Sequence, residues 1–139
     1  MKTIIIYAFL ALFGIFITSC SRSESESEEL IGLSEDNIKL SQKTATINSN
    51  MNSITITTES TDWWLNGISL NDNRIDLTGV DRLSKNFVIT NPDFQVERKE
   101  DGKKIIITLN QNNTNSERIL HVGIQAGNYF DEVKIIQTK

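Results

Sequence analysis

Apolar residues recur at every second position through most of this chain, and a period of two belongs to the β-strand. Ile105, Ile107 and Leu109 share one face, as do Leu120, Val122 and Ile124. Shorter alternations run through Ile38 and Leu40, Ala45 and Ile47, Ile54 and Ile56, Ile75 and Leu77, Phe87 and Ile89, Phe94 and Val96, and Val133 and Ile135. Turn formers separate these runs: Asn50-Met51-Asn52, Asn71-Asp72-Asn73, Asn91-Pro92-Asp93, Glu100-Asp101-Gly102 and Ala126-Gly127-Asn128. Short strands spaced about 8–12 residues apart and joined by turns make a sandwich. The pattern predicts an all-β sandwich of seven to nine antiparallel strands over 35–139. Gly79 to Asn86 is the weakest stretch and reads as a loop or one helical turn.

The first nineteen residues obey different rules. Met1-Lys2-Thr3 is a short positive start, followed by an apolar run from Ile4 to Ile17. At about 14 residues the run is shorter than the roughly 20 a spanning helix needs, and it fits the apolar region of a signal peptide. Ile17-Thr18-Ser19-Cys20 resembles a lipobox, where a lipoprotein signal peptidase cuts just before cysteine. Cys20 is the single cysteine of the chain, so no intramolecular disulfide can form. The expectation is a cleaved signal peptide over 1–19 and a lipid anchor on Cys20. Several acyl chains hold a protein to a bilayer where one alone holds only marginally.

Residues 20–34 follow as a tether. Ser21 to Glu29 has no apolar side chain and four glutamates, so it buries nothing that would offset the entropy of ordering. An acidic segment just after a lipidated cysteine also resembles the export signal of surface lipoproteins. The expected location is the outer membrane, on the cell surface or, alternatively, in the periplasmic leaflet.

Composition excludes several function classes. The chain carries a formal net charge of −4, with charges of both signs interspersed. No basic stripe suits nucleic acid, and no polybasic patch suits anionic lipid. His121 is the single histidine and lies in an alternating run, on the side away from the core. No nucleophile motif surrounds a serine, so a serine-histidine triad is not expected. Asp62, Asp72, Asp76 and Asp81 read as turn residues, and the calcium-loop pattern is missing. No catalytic residue, metal site or cofactor is expected. Asn112-Asn113-Thr114 fits a glycosylation acceptor, by coincidence in a bacterial lipoprotein.

Asn115-Ser116-Glu117-Arg118 leads into an alternating strand, a Gly-Asn turn and a last strand, Val133-Lys134-Ile135-Ile136-Gln137. With a tryptophan at the end of an early strand, in Asp62-Trp63-Trp64, this resembles the BACON domain over Asp36 to Gln137. The resemblance implies an immunoglobulin-like sandwich and contact with carbohydrate. Adjacent strand residues point to opposite faces, so Trp63 belongs to the core with Leu65. Trp64 shares parity with Asn66 and Ile68 and is at least partly exposed. An exposed indole is a platform on which a sugar ring stacks. Trp64, Trp63 and Tyr129 are the candidate glycan-stacking residues, with Tyr129-Phe130 as the second aromatic position. The expected function is a lipid-anchored binding or spacer module in contact with glycans. The alternative is an assembly lipoprotein that docks a protein partner at the outer membrane.

Overall fold

The computed structural model describes residues 34–139. The signal peptide, Cys20 and nearly all of the tether lie outside the described residues. Nine strands follow one another: β1 (Thr44–Ile47), β2 (Asn52–Thr57), β3 (Trp64–Leu70), β4 (Asn73–Arg74), β5 (Phe87–Thr90), β6 (Phe94–Lys99), β7 (Lys104–Leu109), β8 (Arg118–Ala126) and β9 (Tyr129–Gln137). They form two sheets, one of order β1-β9-β8-β3-β4 and one of order β2-β7-β6-β5. The chain is an all-β sandwich compatible with the immunoglobulin-like class.

Alternation builds the core. Ile56, Ile89, Phe94, Val96, Ile105, Ile107 and Leu109 of one sheet meet Leu65, Ile68, Leu120, Val122, Ile124, Val133 and Ile135 of the other, all of them buried. Each such side chain contributes roughly 1.5–3 kcal/mol by leaving water. A one-residue slip of any strand would turn its apolar set outward, which pins the register.

The turns follow their residues. Asn71 and Asp72 link β3 to β4 with φ of 48° and 64°, the two left-handed residues of a type I′ turn. Gly127 takes φ 59° as the first of two residues between Ala126 and Tyr129. The β6–β7 connection is longer than a two-residue Asp-Gly turn. Lys99 pairs with Lys104, and Glu100, Asp101 and Gly102 all have positive φ.

Three expectations need correction. The strands are not all antiparallel, because β1 runs parallel to β9. After β1 the chain crosses to the other sheet as β2, so β1 serves as an edge strand and never forms a hairpin with its neighbour. Ile38 and Leu40 do not make a strand. Ile38 is buried in an irregular segment, while Leu40 forms one isolated bridge to Thr58. Ile75 and Leu77 pack against the core outside any strand, β4 having ended at Arg74. Gly79 to Asn86 is a loop, with turns closed by Val80 N–H to Leu77 O and Ser84 N–H to Asp81 O.

Each end of the sandwich is closed by an inward-pointing arginine. Arg98 follows Phe94 and Val96 on the inner face of β6 and is fully buried. Its guanidinium lies 3.6 Å from the centre of the Trp63 ring. It donates to Ser84 O at 2.9 Å and to Thr61 O at 2.8 Å. Burial pushes its pKa down to about 10, partly offset by Asp62, so the group stays charged at neutral pH. At the opposite end Arg118 donates to Gln137 Oε1 at 3.0 Å and to Asp93 Oδ1 at 2.8 Å. Gln137 in turn donates to Asn50 O and Asn110 O, both at 3.1 Å, joining the last strand to two connections of the other sheet.

Candidate functional site

The outer face of the five-stranded sheet carries the side chains that alternation turns away from the core. Pairing fixes them in rows across β3, β8 and β9. Trp64 stands opposite Gln125, which stands opposite Phe130. The next row is Gly67, Gly123 and Glu132, and the one after it is Ser69, His121 and Lys134. Arg74 on β4 sits opposite Ser69 and extends the third row.

A β-bulge makes this arrangement. The β3–β8 register shifts between Leu65 and Gly67, so Leu65 and Ile68 both enter the core although three positions separate them. Strict parity had put Trp64 on the side of Ile68. The bulge places Trp64 with Gly67 and Ser69 instead, on the outer face.

The glycine row is a floor without side chains. Neither Gly67 nor Gly123 has a left-handed φ. A Cβ on Gly123 would come no nearer than 3.5 Å to any atom, and one on Gly67 no nearer than 3.7 Å, which are ordinary contacts. The fold therefore does not demand glycine at either place. Glycine inside a strand weakens it and often marks a place where something approaches the backbone closely.

Two open depressions overlap along this floor. One of about 410 Å³ lies between β3 and the 75–82 loop, under Arg74 and Arg82. The other, of about 310 Å³, runs over Gly67 and Gly123 to His121 and Glu132. Asn66, Gly67 and Arg74 line both, so they form one continuous groove. The row of Trp64, Gln125 and Phe130 flanks it. Two strand spacings separate Trp64 from Phe130, about 10 Å.

The structure sorts the expected stacking residues. Trp64 is partly exposed on the outer face beside the groove. Trp63 does not belong to the surface. It is 3 % exposed, Arg98 covers one face of its ring, and its indole N–H donates to Gly102 O at 3.1 Å. No face of Trp63 is left for a sugar. Tyr129 is on the wrong side of the sheet, since it stands opposite Ala126, which is buried. It packs against the core, donates to Asp131 Oδ2 at 3.0 Å and accepts from Lys43 Nζ at 3.3 Å. Burial raises its pKa, while the bond to Lys43 opposes that rise. Phe130, 59 % exposed, is the aromatic that shares the face with Trp64.

Polar groups around the groove are held in place. His121 Nδ1 lies 3.2 Å from Glu132 Oε2. Asp76 Oδ1 accepts from the Thr78 N–H at 2.9 Å and from its hydroxyl at 2.6 Å, and these bonds hold the carboxyl below the usual range. Asp81 Oδ1 accepts from the Leu83 N–H at 3.1 Å. Asp76 and Asp81 thus act as turn caps. Ser69, His121 and Glu132 share the order of a catalytic triad across three strands. The hydrogen bond of the ring goes to Glu132, however, and none joins it to Ser69. A nucleophile needs that second link to be activated. Among the described residues no group of three His, Cys, Asp or Glu side chains is placed to hold a metal ion.

Asn112 is not available as a glycosylation acceptor. It is 6 % exposed, and its amide donates to Ser116 O at 2.9 Å and Thr138 O at 3.0 Å, fixing the β7–β8 loop.

No family model matches the sequence, and no curated protein matches it. Among solved structures the chain is similar to one described as the NMR structure of the protein from Bacteroides thetaiotaomicron. The two share 21 % identity at a TM-score of 0.59, over 76 % of this chain and 94 % of that one. At that identity the likeness is one of fold: the described sandwich has the same overall course as that protein.

Proposed function

We propose that this protein is a glycan-binding module held to the outer membrane by lipid on Cys20. The observation that carries the reading is the groove on the outer face of the five-stranded sheet. Its floor is bare backbone at Gly67 and Gly123, and Trp64 and Phe130 stand in one row along its side. Sugar rings have apolar faces that stack on aromatics and hydroxyls that hydrogen-bond to side chains such as Gln125, Asn66 and Glu132. The groove's lining supplies polar side chains, and the neighbouring row of Trp64, Gln125 and Phe130 supplies the aromatic faces. Its openness suits a chain that lies along it. The resemblance of Asp36 to Gln137 to the BACON domain supports the same reading. Binding and placement at the membrane, without catalysis, account for the residues that line it.

Glycan retention on affinity gels tests this. Trp64→Ala and Phe130→Ala should each lower retention about tenfold or more, the loss of roughly 1.4 kcal/mol of stacking, with unchanged melting. Equal retention of both variants and the parent chain would remove the groove from the account.

A second reading has its own observation. β5 is an edge strand; its Val88 is 57 % exposed, and Leu83 in the loop before it is 70 % exposed. Open edges accept strands from other chains. An envelope protein docked there would make this an assembly lipoprotein. Crosslinking from position 88 should then capture one partner in stoichiometric amount, and its absence would leave the glycan reading alone.

A further inference from the structure

Six of the twelve lysines and arginines in the described part of the chain have a carboxylate counterion. Lys39, Lys43, Lys85, Lys99 and Lys104 each pair with a carboxylate, as does Arg118. Arg74 and Arg82 are among the six that do not, with Arg98, Lys103, Lys134 and Lys139, and are set apart by sharing one depression. They converge on adjacent residues of the β3 bulge. Arg74 Nη2 lies 3.7 Å from where a side chain on Gly67 would begin, and Arg82 Nη1 lies 3.5 Å from Asn66 O. Two guanidiniums gathered at one place repel each other, and a bound anion relieves the repulsion. The depression they share is lined by these two cations and one carboxylate, Asp76, in a chain of net charge −4.

We infer that the groove takes an acidic glycan, one whose sugar rings carry carboxylate or sulfate, and that Arg74 and Arg82 grip the anionic group. The inference rests on the glycan reading above and adds the ligand's charge to it. Guanidinium forks match carboxylate and sulfate oxygens in pairs, which gives orientation as well as attraction. The acids nearby fix where the anion sits. Asp76 faces the same depression with one oxygen engaged by Thr78, whereas Asp72 and Glu132 lie along the other part of the groove, Glu132 against His121. The anionic group therefore seats on the Arg82 side. The ring it belongs to crosses the glycine floor toward Trp64 and Phe130.

The test uses the full chain in detergent and two matched pairs of polymers: polygalacturonate against its methyl ester, and dextran sulfate against dextran. The expected result is retention of at least one acidic polymer at about tenfold lower concentration than its neutral counterpart, weakening as salt is raised. Which acidic polymer is retained tells carboxylate from sulfate. Arg74→Ala and Arg82→Ala should each cost about tenfold on the acidic polymer with melting unchanged, since both side chains are exposed. Equal retention of acidic and neutral forms, or indifference to both arginine variants, overturns the inference and leaves a neutral-glycan module. No retention of any of the four overturns both.

Discussion

At the scale of the residue, charge has been taken into the interior and used there. Arg98 is an arginine on a strand face that otherwise holds Phe94 and Val96, and it is as buried as they are. A buried charge is costly unless paired, and here the Trp63 ring and two backbone carbonyls replace the lost water. The Nε of Arg98 has no partner, so the exchange is incomplete. Arg98→Ala should lower unfolding free energy by about 3 kcal/mol, read from the denaturant midpoint at constant slope, because it strands the carbonyls and empties the space over Trp63. Gly102 is coupled to the same group. Its φ is 92°, and a Cβ there would come 2.5 Å from Arg98 Nη2. Gly102→Ala should cost about 2 kcal/mol or more for both reasons, and a melting temperature equal to that of the parent would contradict this placement of Arg98.

Asp36 supplies a residue-scale pH dependence. Burial pushes its pKa up, but the Lys39 N–H and Lys43 outweigh burial and hold it below the ordinary value. A carboxylate with a depressed folded pKa contributes stability that is present above its unfolded value, about 3.9, and is lost as pH falls through the folded one. Stability of the parent chain should therefore fall more steeply between about pH 5 and pH 3 than that of Asp36→Asn. Parallel curves would show that Asp36 has no such role.

At the scale of the element, β3 and β8 carry the candidate site. The bulge after Leu65 lets Trp64 and Gly67 share a face, and pairing sets Gly67 beside Gly123. Gly123→Ala separates the two roles a glycine can have. Its backbone is not left-handed and its Cβ would meet only ordinary contacts, so the change should stabilise the strand by about 0.5 kcal/mol. The new methyl would rise from the groove floor and weaken glycan retention. A variant that is more stable yet binds worse is the expected pair of results; unchanged retention would mean that the ligand does not reach the floor.

Most strands were legible in the sequence because burial of one sheet face writes itself as alternation. What was not legible lies where alternation is broken or outvoted. The bulge moved Ile68 into the core and Trp64 out of its predicted company, and no single residue near Leu65 marks such a shift. Arg98 shares the parity of Phe94 and Val96, a signal that was present, but its charge reads as solvent-facing. Tyr129 looked like part of an exposed turn, whereas the two-residue Gly127-Asn128 connection places it opposite Ala126 and leaves Phe130 on the outer face. Arg74 and Arg82 carried no signal of their own. They meet because β4 and the 75–82 loop fold back against the bulge, a long-range consequence of the chain's path.

At the scale of the whole molecule, the fold is a sandwich closed at both ends, with the candidate site on one outer face. The inner faces hold the core, Arg98 and Arg118 seal the ends, and the outer face of the five-stranded sheet carries glycines, aromatics and Arg74, which has no ion pair among the described residues. The proposed anchor belongs to this scale too. Cys20→Ser should abolish incorporation of labelled lipid and leave the precursor unprocessed, and a lipid-labelled Cys20→Ser chain would contradict the lipoprotein reading.

The most direct measurement is amide chemical-shift mapping on isotope-labelled protein across a panel of neutral and acidic oligosaccharides. The account predicts that a bound sugar shifts Gly67, Gly123, Gln125 and Glu132 together and leaves the outer face of the four-stranded sheet, at Thr55, Glu97 and Ile106, unchanged. Shifts confined to that second face, or none from any member of the panel, would contradict it.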